Sequence, residues 1–351
     1  MNGISNRGGG PETELSTISG LLLVGITIMV LAALAWGEMV FAPAAFAIFI
    51  VMVVWPLQAY LQARMPRMLA MLITVLVTLF CVAALLMLFV WGISVIGQWL
   101  VRNGGRLQGL YETAISWLEL HGLGVAGPLA ETFNMSWFIR LVQTTLARLN
   151  GILGFAALVF AFAVLGLLET ENLAKRLERA GSRFGGIDVL AAGRETAATF
   201  GKYMLVRTVI SAATGIVVWG VAYAVGLEFP AAWAAIAFTL NYIPFIGSLV
   251  ATLLPAVFAL LQFESFQVAL VVLGCLMVIQ FIIGSYLEPV VTGSTLSLSP
   301  FAVMLVVFLW SLLWGLTGAF IGVPILIAVM TVCRQLPSMR WFTVMLSGGK
   351  A

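Results

Sequence analysis

Charge is what this chain has least of. Only 9% of its 351 residues are Asp, Glu, Lys or Arg, where an ordinary soluble domain carries about 25%. One histidine, His121, and one aspartate, Asp188, are present. A histidine-based zinc site or a Ser-His-Asp triad cannot be assembled from so few groups, and "DVLAAGRE" around Asp188 offers no partner carboxylate. The glycine-containing "RNGGRLQGL" lacks the Lys-Ser/Thr ending that holds phosphate and magnesium. Cys81, Cys275 and Cys333 are odd in number and sit in or beside apolar segments, where free cysteine behaves as a small hydrophobe. That excludes a disulfide framework and a thiolate metal cluster. Net charge is only +3, and the basic residues form no dense stripe, so nucleic acid is set aside. The expectation is a protein that is not an enzyme and needs no cofactor or metal.

What is present is hydrocarbon. Hydrophobic residues make up 62% of the chain, which predicts a membrane protein with the lipid bilayer as its surroundings. Apolar runs long enough to cross lie at 19–37, 39–61, 69–98, 150–169, 205–226, 231–262, 267–287 and 300–333. The predicted fold is all-α and polytopic, with about eight transmembrane helices in a single domain over 19–335. A polar tail at 1–18 precedes it and a tail at 336–351 comes after it. The Gly-rich opening does not read as a cleavable signal. Segments 99–149 and 171–206 mix apolar residues at helical spacing with charge, and read as helices at the outer and cytoplasmic interfaces.

The runs 231–262 and 300–333 are too long for simple crossings, and each has a Gly/Pro interruption near its middle. Each is broken or re-entrant; irregular backbone at membrane depth needs protein or water to satisfy it. Arg64 and Arg67, and the basic residues of the 175–207 link, belong on the cytoplasmic side, while Glu38 and Glu228 face outward. Both termini are then cytoplasmic. Eight crossings and two re-entrant hairpins satisfy this charge bias equally.

Polar groups inside hydrocarbon mark function or helix contacts. Three clusters stand out, all in the C-terminal half. In "NYIPFIGS", Asn241, Tyr242, Pro244, Gly247 and Ser248 interrupt an uncharged run from 230 to 261, and Pro244 frees a carbonyl. Around "GSYLEPVVTGSTLSLSP" lie Gln280, Ser285, Tyr286, Glu288, Pro289, Thr292 and Gly293. In "WGLTGAFIGVP", Gly315, Gly318, Gly322 and Pro324 are candidates for helix packing or a hinge. The "FIG" at 320–322 echoes that at 245–247, and both long runs begin at or just after a proline, Pro230 and Pro300.

"NYIPFIGS" and, further on, "LEPVVTGSTLSLSP", with "VRTVISAATGI" before them, resemble the motif set of the autoinducer-2 exporter (AI-2E) family of permeases. The resemblance covers about 20 to 335. It implies a bacterial inner-membrane, multi-pass permease, generally a homo-oligomer, that moves a small-molecule solute without ATP hydrolysis. Asn241, Pro244 and Gly247 match one element; Glu288, Pro289 and Gly293 match the other. Members often carry a basic residue after Glu-Pro and in the next segment; this chain has Val290 and Ser294.

The leading functional expectation is a secondary transporter or facilitator exporting a small, polar, uncharged metabolite of the autoinducer-2 type. The transport pathway would be lined by the largely neutral groups named above. A sodium or lithium/proton antiporter with Glu288 as carrier is the alternative, with sodium or protons as partners. A non-transporting membrane scaffold is the third reading.

Overall fold

The computed structural model describes residues 11–120, 135–180, 183–184, 187–292, 298–336 and 339–346. Among the described residues the chain is all-α apart from a minimal hairpin, β1 (Arg183–Phe184) with β2 (Ile187–Asp188). Its helices are α1 (Pro11–Trp36), α2 (Glu38–Gln62), α3 (Arg67–Arg102), α4 (Gly104–Leu120), α5 (Met135–Ala180) and α6 (Val189–Val225). Then come α7 (Pro230–Leu240), α8 (Ile246–Phe263), α9 (Phe266–Ile282), a π-turn (Ile283–Leu287), α10 (Glu288–Thr292), α11 (Pro300–Gln335) and α12 (Arg340–Leu346). Among the described residues, seven helices are long and apolar enough to cross a membrane. All eight apolar runs are built of helix, two of them with a break. Two hydroxyls inside α3 bond their own helix: Thr74 and Thr78 donate to the carbonyls of Ala70 and Thr74, so these two carry no unmet polarity into hydrocarbon.

Some boundaries differ from the sequence expectation. Helix α1 begins at Pro11, inside the expected tail. Residues 135–149 are continuous with the next span in the 46-residue α5, and among the described residues of the 99–149 segment α4 forms a separate helix. The described residues of 171–206 are the end of α5, the small hairpin and the start of α6. The C-terminal tail contains α12, whose Leu346 carbonyl accepts from the Ser299 N–H at 2.8 Å.

Both long runs turn back on themselves. Helix α6 closes at Gly226, whose φ of 79° lets the Leu227 N–H reach the Ala222 carbonyl, and Pro230 opens α7 where its missing N–H matters least. The chain then breaks over 241–245 and returns as α8. The Gln262 side chain closes the loop: its amide donates to the Gly226 carbonyl at 2.9 Å and its oxygen accepts from the Glu228 N–H at 2.8 Å. Trp233 and Phe258, ring centroids 5.1 Å apart, pack arm against arm. The end of α8 therefore lies beside the start of α7.

Helix α11 is a second hairpin within one apolar run. Trp314 and Gly315 are non-helical, Gly315 having φ 58° and ψ −139°, a combination open to glycine. In a continuous helix Val306 and Gly322 would lie about 24 Å apart; here a Cβ at Gly322 would sit 3.2 Å from the Val306 carbonyl oxygen. The returning arm ends beside the small hairpin, where Gln335 accepts from the Asp188 N–H at 3.0 Å. At its tip the Trp314 indole donates to the Leu34 carbonyl at 2.9 Å. This is the most enclosed of the seven long apolar helices, with 61% of its apolar stretch buried.

Each hairpin organises a core. Ile96, Trp99, Val218, Val272 and Leu276 surround the first; Ala42, Phe49, Phe200 and Ile243 surround the second. The hairpins enter from opposite ends of the molecule, and Tyr242 at the first tip stacks on Phe320 of the second, ring centroids 6.0 Å apart.

Candidate functional site

Beside the second core, where Val206, Ile210 and Ile283 form a small cluster of their own, a cavity of about 580 Å³ opens. Helix α6 contributes Tyr203, Val206, Arg207 and Ile210, one face by helical spacing. The first hairpin's tip contributes Asn241, Pro244, Phe245 and Ser248; the second hairpin contributes Pro300, Val303 and Val323. Gln280, Ile283, Gly284 and Glu288 complete the wall from α9, the π-turn and α10. The π-turn adds one residue to the helical register just before Glu288, which rotates Glu288 relative to the faces of α9.

The tip is strained. Ile246 N–H bonds the Pro244 carbonyl at 2.7 Å around Phe245, whose φ is 62° and ψ −52°, a γ-turn of the rare hand. Such a conformation costs on the order of 1–3 kcal/mol and persists only where its surroundings hold it. Here the surroundings include Tyr242, whose hydroxyl lies 2.9 Å from that of Thr208 on α6.

Within the wall the polar groups are mostly neutral and incompletely bonded. The Asn241 amide reaches the Ser211 hydroxyl only at 3.5 Å. Among the described residues, the Tyr203 hydroxyl and the Gln280 amide nitrogen are buried with no hydrogen-bond partner. One ion pair is present: Arg207 Nη2 lies 3.2 Å from Glu288 Oε1, with side chains 11% and 38% exposed. The Arg207 guanidinium also lies 5.6 Å from the centre of the Tyr203 ring, within cation–π range.

Of the sequence-predicted pathway residues, the cavity brings together Asn241, Pro244, Ser248, Gln280 and Glu288. Tyr242 is buried just behind the tip, and Gly247 packs against the backbone at Leu240. Ser285 and Tyr286 lie in the π-turn with exposed side chains and do not line the cavity. Pro289 and Thr292 lie in α10, and Gly293 is outside the described residues. Gly315 forms the second tip; Gly318, Gly322 and Pro324 are buried in its returning arm. Two polar wall residues, Tyr203 and Arg207, are absent from the sequence expectation. By sequence Arg207 groups with the interfacial basic residues, although its spacing from Tyr203, Val206 and Ile210 puts it on their face. It stands beside Glu288 in a chain whose Val290 and Ser294 depart from the basic pattern after Glu-Pro.

Comparison with known proteins points to transport as well. A sequence model described as AI-2E family transporter matches residues 24–338. The chain belongs to the AI-2E transporter family. The AI-2 transport protein TqsA of Escherichia coli K12 is 28% identical over 343 residues, 96% of this chain and 98% of the relative. A putative transport protein of Borreliella burgdorferi is 28% identical over 336 residues, 93% of this chain and 89% of the relative. The putative transport protein YhhT of E. coli K12 is 24% identical over 335 residues, covering 92% and 91%. The AI-2E chain described above is thus a multi-pass membrane transporter, and its fold is the polytopic all-α one expected.

Proposed function

We propose that this AI-2E transporter is a secondary transporter or facilitator that exports a small, polar, uncharged metabolite of the autoinducer-2 type through the cavity between its two hairpins. It works in the bacterial inner membrane with both termini cytoplasmic, the orientation that the basic residues of the α2–α3 and α5–α6 links favour.

The observation that carries this reading is the pair of buried donors without partners, Tyr203 and Gln280, in a wall that also holds Asn241 and Ser248. A buried polar group left unmet costs about 1–3 kcal/mol. Hydroxyl and carbonyl oxygens of a solute would satisfy these groups, so their cost becomes affinity. The one carboxylate in the wall, Glu288, is already neutralised by Arg207, which favours a neutral solute over a carried cation. The relative described as an AI-2 transport protein supports the solute class.

The test is purified protein in liposomes given an outward gradient of autoinducer-2, with a pH-sensitive dye inside. Solute flux that Asn241→Ala and Gln280→Leu both reduce, with no proton signal on adding sodium, supports the reading. A sodium-dependent proton signal that Glu288→Gln abolishes overturns it.

A further inference from the structure

We propose that Arg207 and Glu288 together set the charge selectivity of the cavity: the pair keeps the pathway electrically neutral, and either residue alone would turn it into a path for ions of the opposite sign. This deepens the neutral-solute reading and rests on it.

The charged side chains of the wall are these two alone among the described residues that line it. Their contact at 3.2 Å joins α6 to α10 across the cavity. The remaining polar lining, Tyr203, Asn241, Ser248 and Gln280, is uncharged. No other charge in the wall would compensate a lone one. The Arg207 side chain is only 11% exposed, on a helix face it shares with Tyr203. Without Glu288 it would hold a permanent positive charge beside buried N–H and O–H donors, an environment that attracts anions. Without Arg207, Glu288 would be a lone carboxylate at the same place and attract cations. A cleft lined by one sign of charge raises the local concentration of the opposite ion on the order of tenfold or more. With both present the field largely cancels, and a neutral solute meets hydrogen-bonding groups without competition from salt.

The experiment uses the full chain in liposomes and four variants: Glu288→Gln, Arg207→Gln, the double Arg207→Gln/Glu288→Gln, and the exchange Arg207→Glu/Glu288→Arg. Chloride flux is followed with a chloride-quenched dye and potassium flux with a potassium-sensitive dye; autoinducer-2 flux is measured in parallel. Glu288→Gln should raise chloride flux, and Arg207→Gln potassium flux, each on the order of tenfold over wild type. The double neutral variant and the exchange variant should leak neither ion, which also guards against a folding defect being read as selectivity. Single variants that stay ion-tight while still moving autoinducer-2 would overturn the proposal, as would a double variant that leaks like the singles. Failure of autoinducer-2 to move in the wild type would count against the solute reading. The ion leaks, read separately, still decide the role of the pair.

Discussion

A Cβ placed on Gly247 would fall on the carbonyl oxygen of Leu240, so the arms of the first hairpin meet through bare backbone. The second hairpin repeats the device: a Cβ on Gly318 would fall on the Trp310 carbonyl oxygen. A main-chain oxygen cannot rotate away as a side chain can. Gly247→Ala and Gly318→Ala should each cost about 1–3 kcal/mol or more through forced separation of the arms. At Gly322 the nearest atoms are 3.2 Å, 3.4 Å and 3.5 Å away, and two of the three belong to the Trp310 side chain. Gly322→Ala should therefore be milder. Thermal unfolding in detergent ranks the three, and a Gly322 variant as damaged as the other two would argue against this account of the hairpins.

Gly315 isolates a different effect. Nothing lies within 4 Å of a Cβ there, yet φ is 58°. Gly315→Ala should lose about 1–3 kcal/mol from backbone strain alone. The same unfolding assay measures it, and an unchanged midpoint would mean that the tip relaxes to accept a side chain.

The two interruptions were legible because proline and glycine in an uncharged run have few other uses; Pro244, Gly247 and Gly315 all fall at or beside the turns. Direction was not legible. A re-entrant hairpin returns the chain to its starting side and a helix with a kink does not, but the charges that flank the last run, Glu288 and Arg334, suit either. Contacts such as Gln262 with Gly226 decide it, and they join positions far apart in sequence. The site was half visible for a related reason. Asn241 and Glu288 stand out because polarity in hydrocarbon is rare. Arg207 lies where a basic residue is expected at a membrane interface, so its membership of the wall emerges only once α10 is packed against α6.

The Tyr242–Thr208 contact ties the strained tip to α6. Tyr242→Phe and Thr208→Val should each destabilise by about 0.5–1.5 kcal/mol, and the double variant should be little worse than either single, giving a coupling of similar size. Denaturation of the four proteins in one detergent supplies the cycle. Strictly additive losses would show that the two hydroxyls act independently.

The hairpin architecture makes a sidedness prediction that a succession of simple crossings contradicts. Cys81, Cys275 and Cys333 would first be replaced by alanine to give a silent background; two of them are exposed on the apolar surface and one is buried. Single cysteines would then be introduced for Glu228, Glu264, Pro300 and Met339, all exposed positions at helix ends. Because Gln262 binds back to Gly226 and Glu228, Glu228→Cys and Glu264→Cys must react with a membrane-impermeant thiol reagent from the same side. Because Ser299 bonds Leu346, Pro300→Cys and Met339→Cys must share the other side. If 230–263 crossed once, the first two would label from opposite faces, and a single crossing over 300–335 would separate the second two. The charge distribution adds the absolute direction: reagent outside intact cells should reach the Glu228 and Glu264 positions and leave the others unlabelled until the membrane is opened.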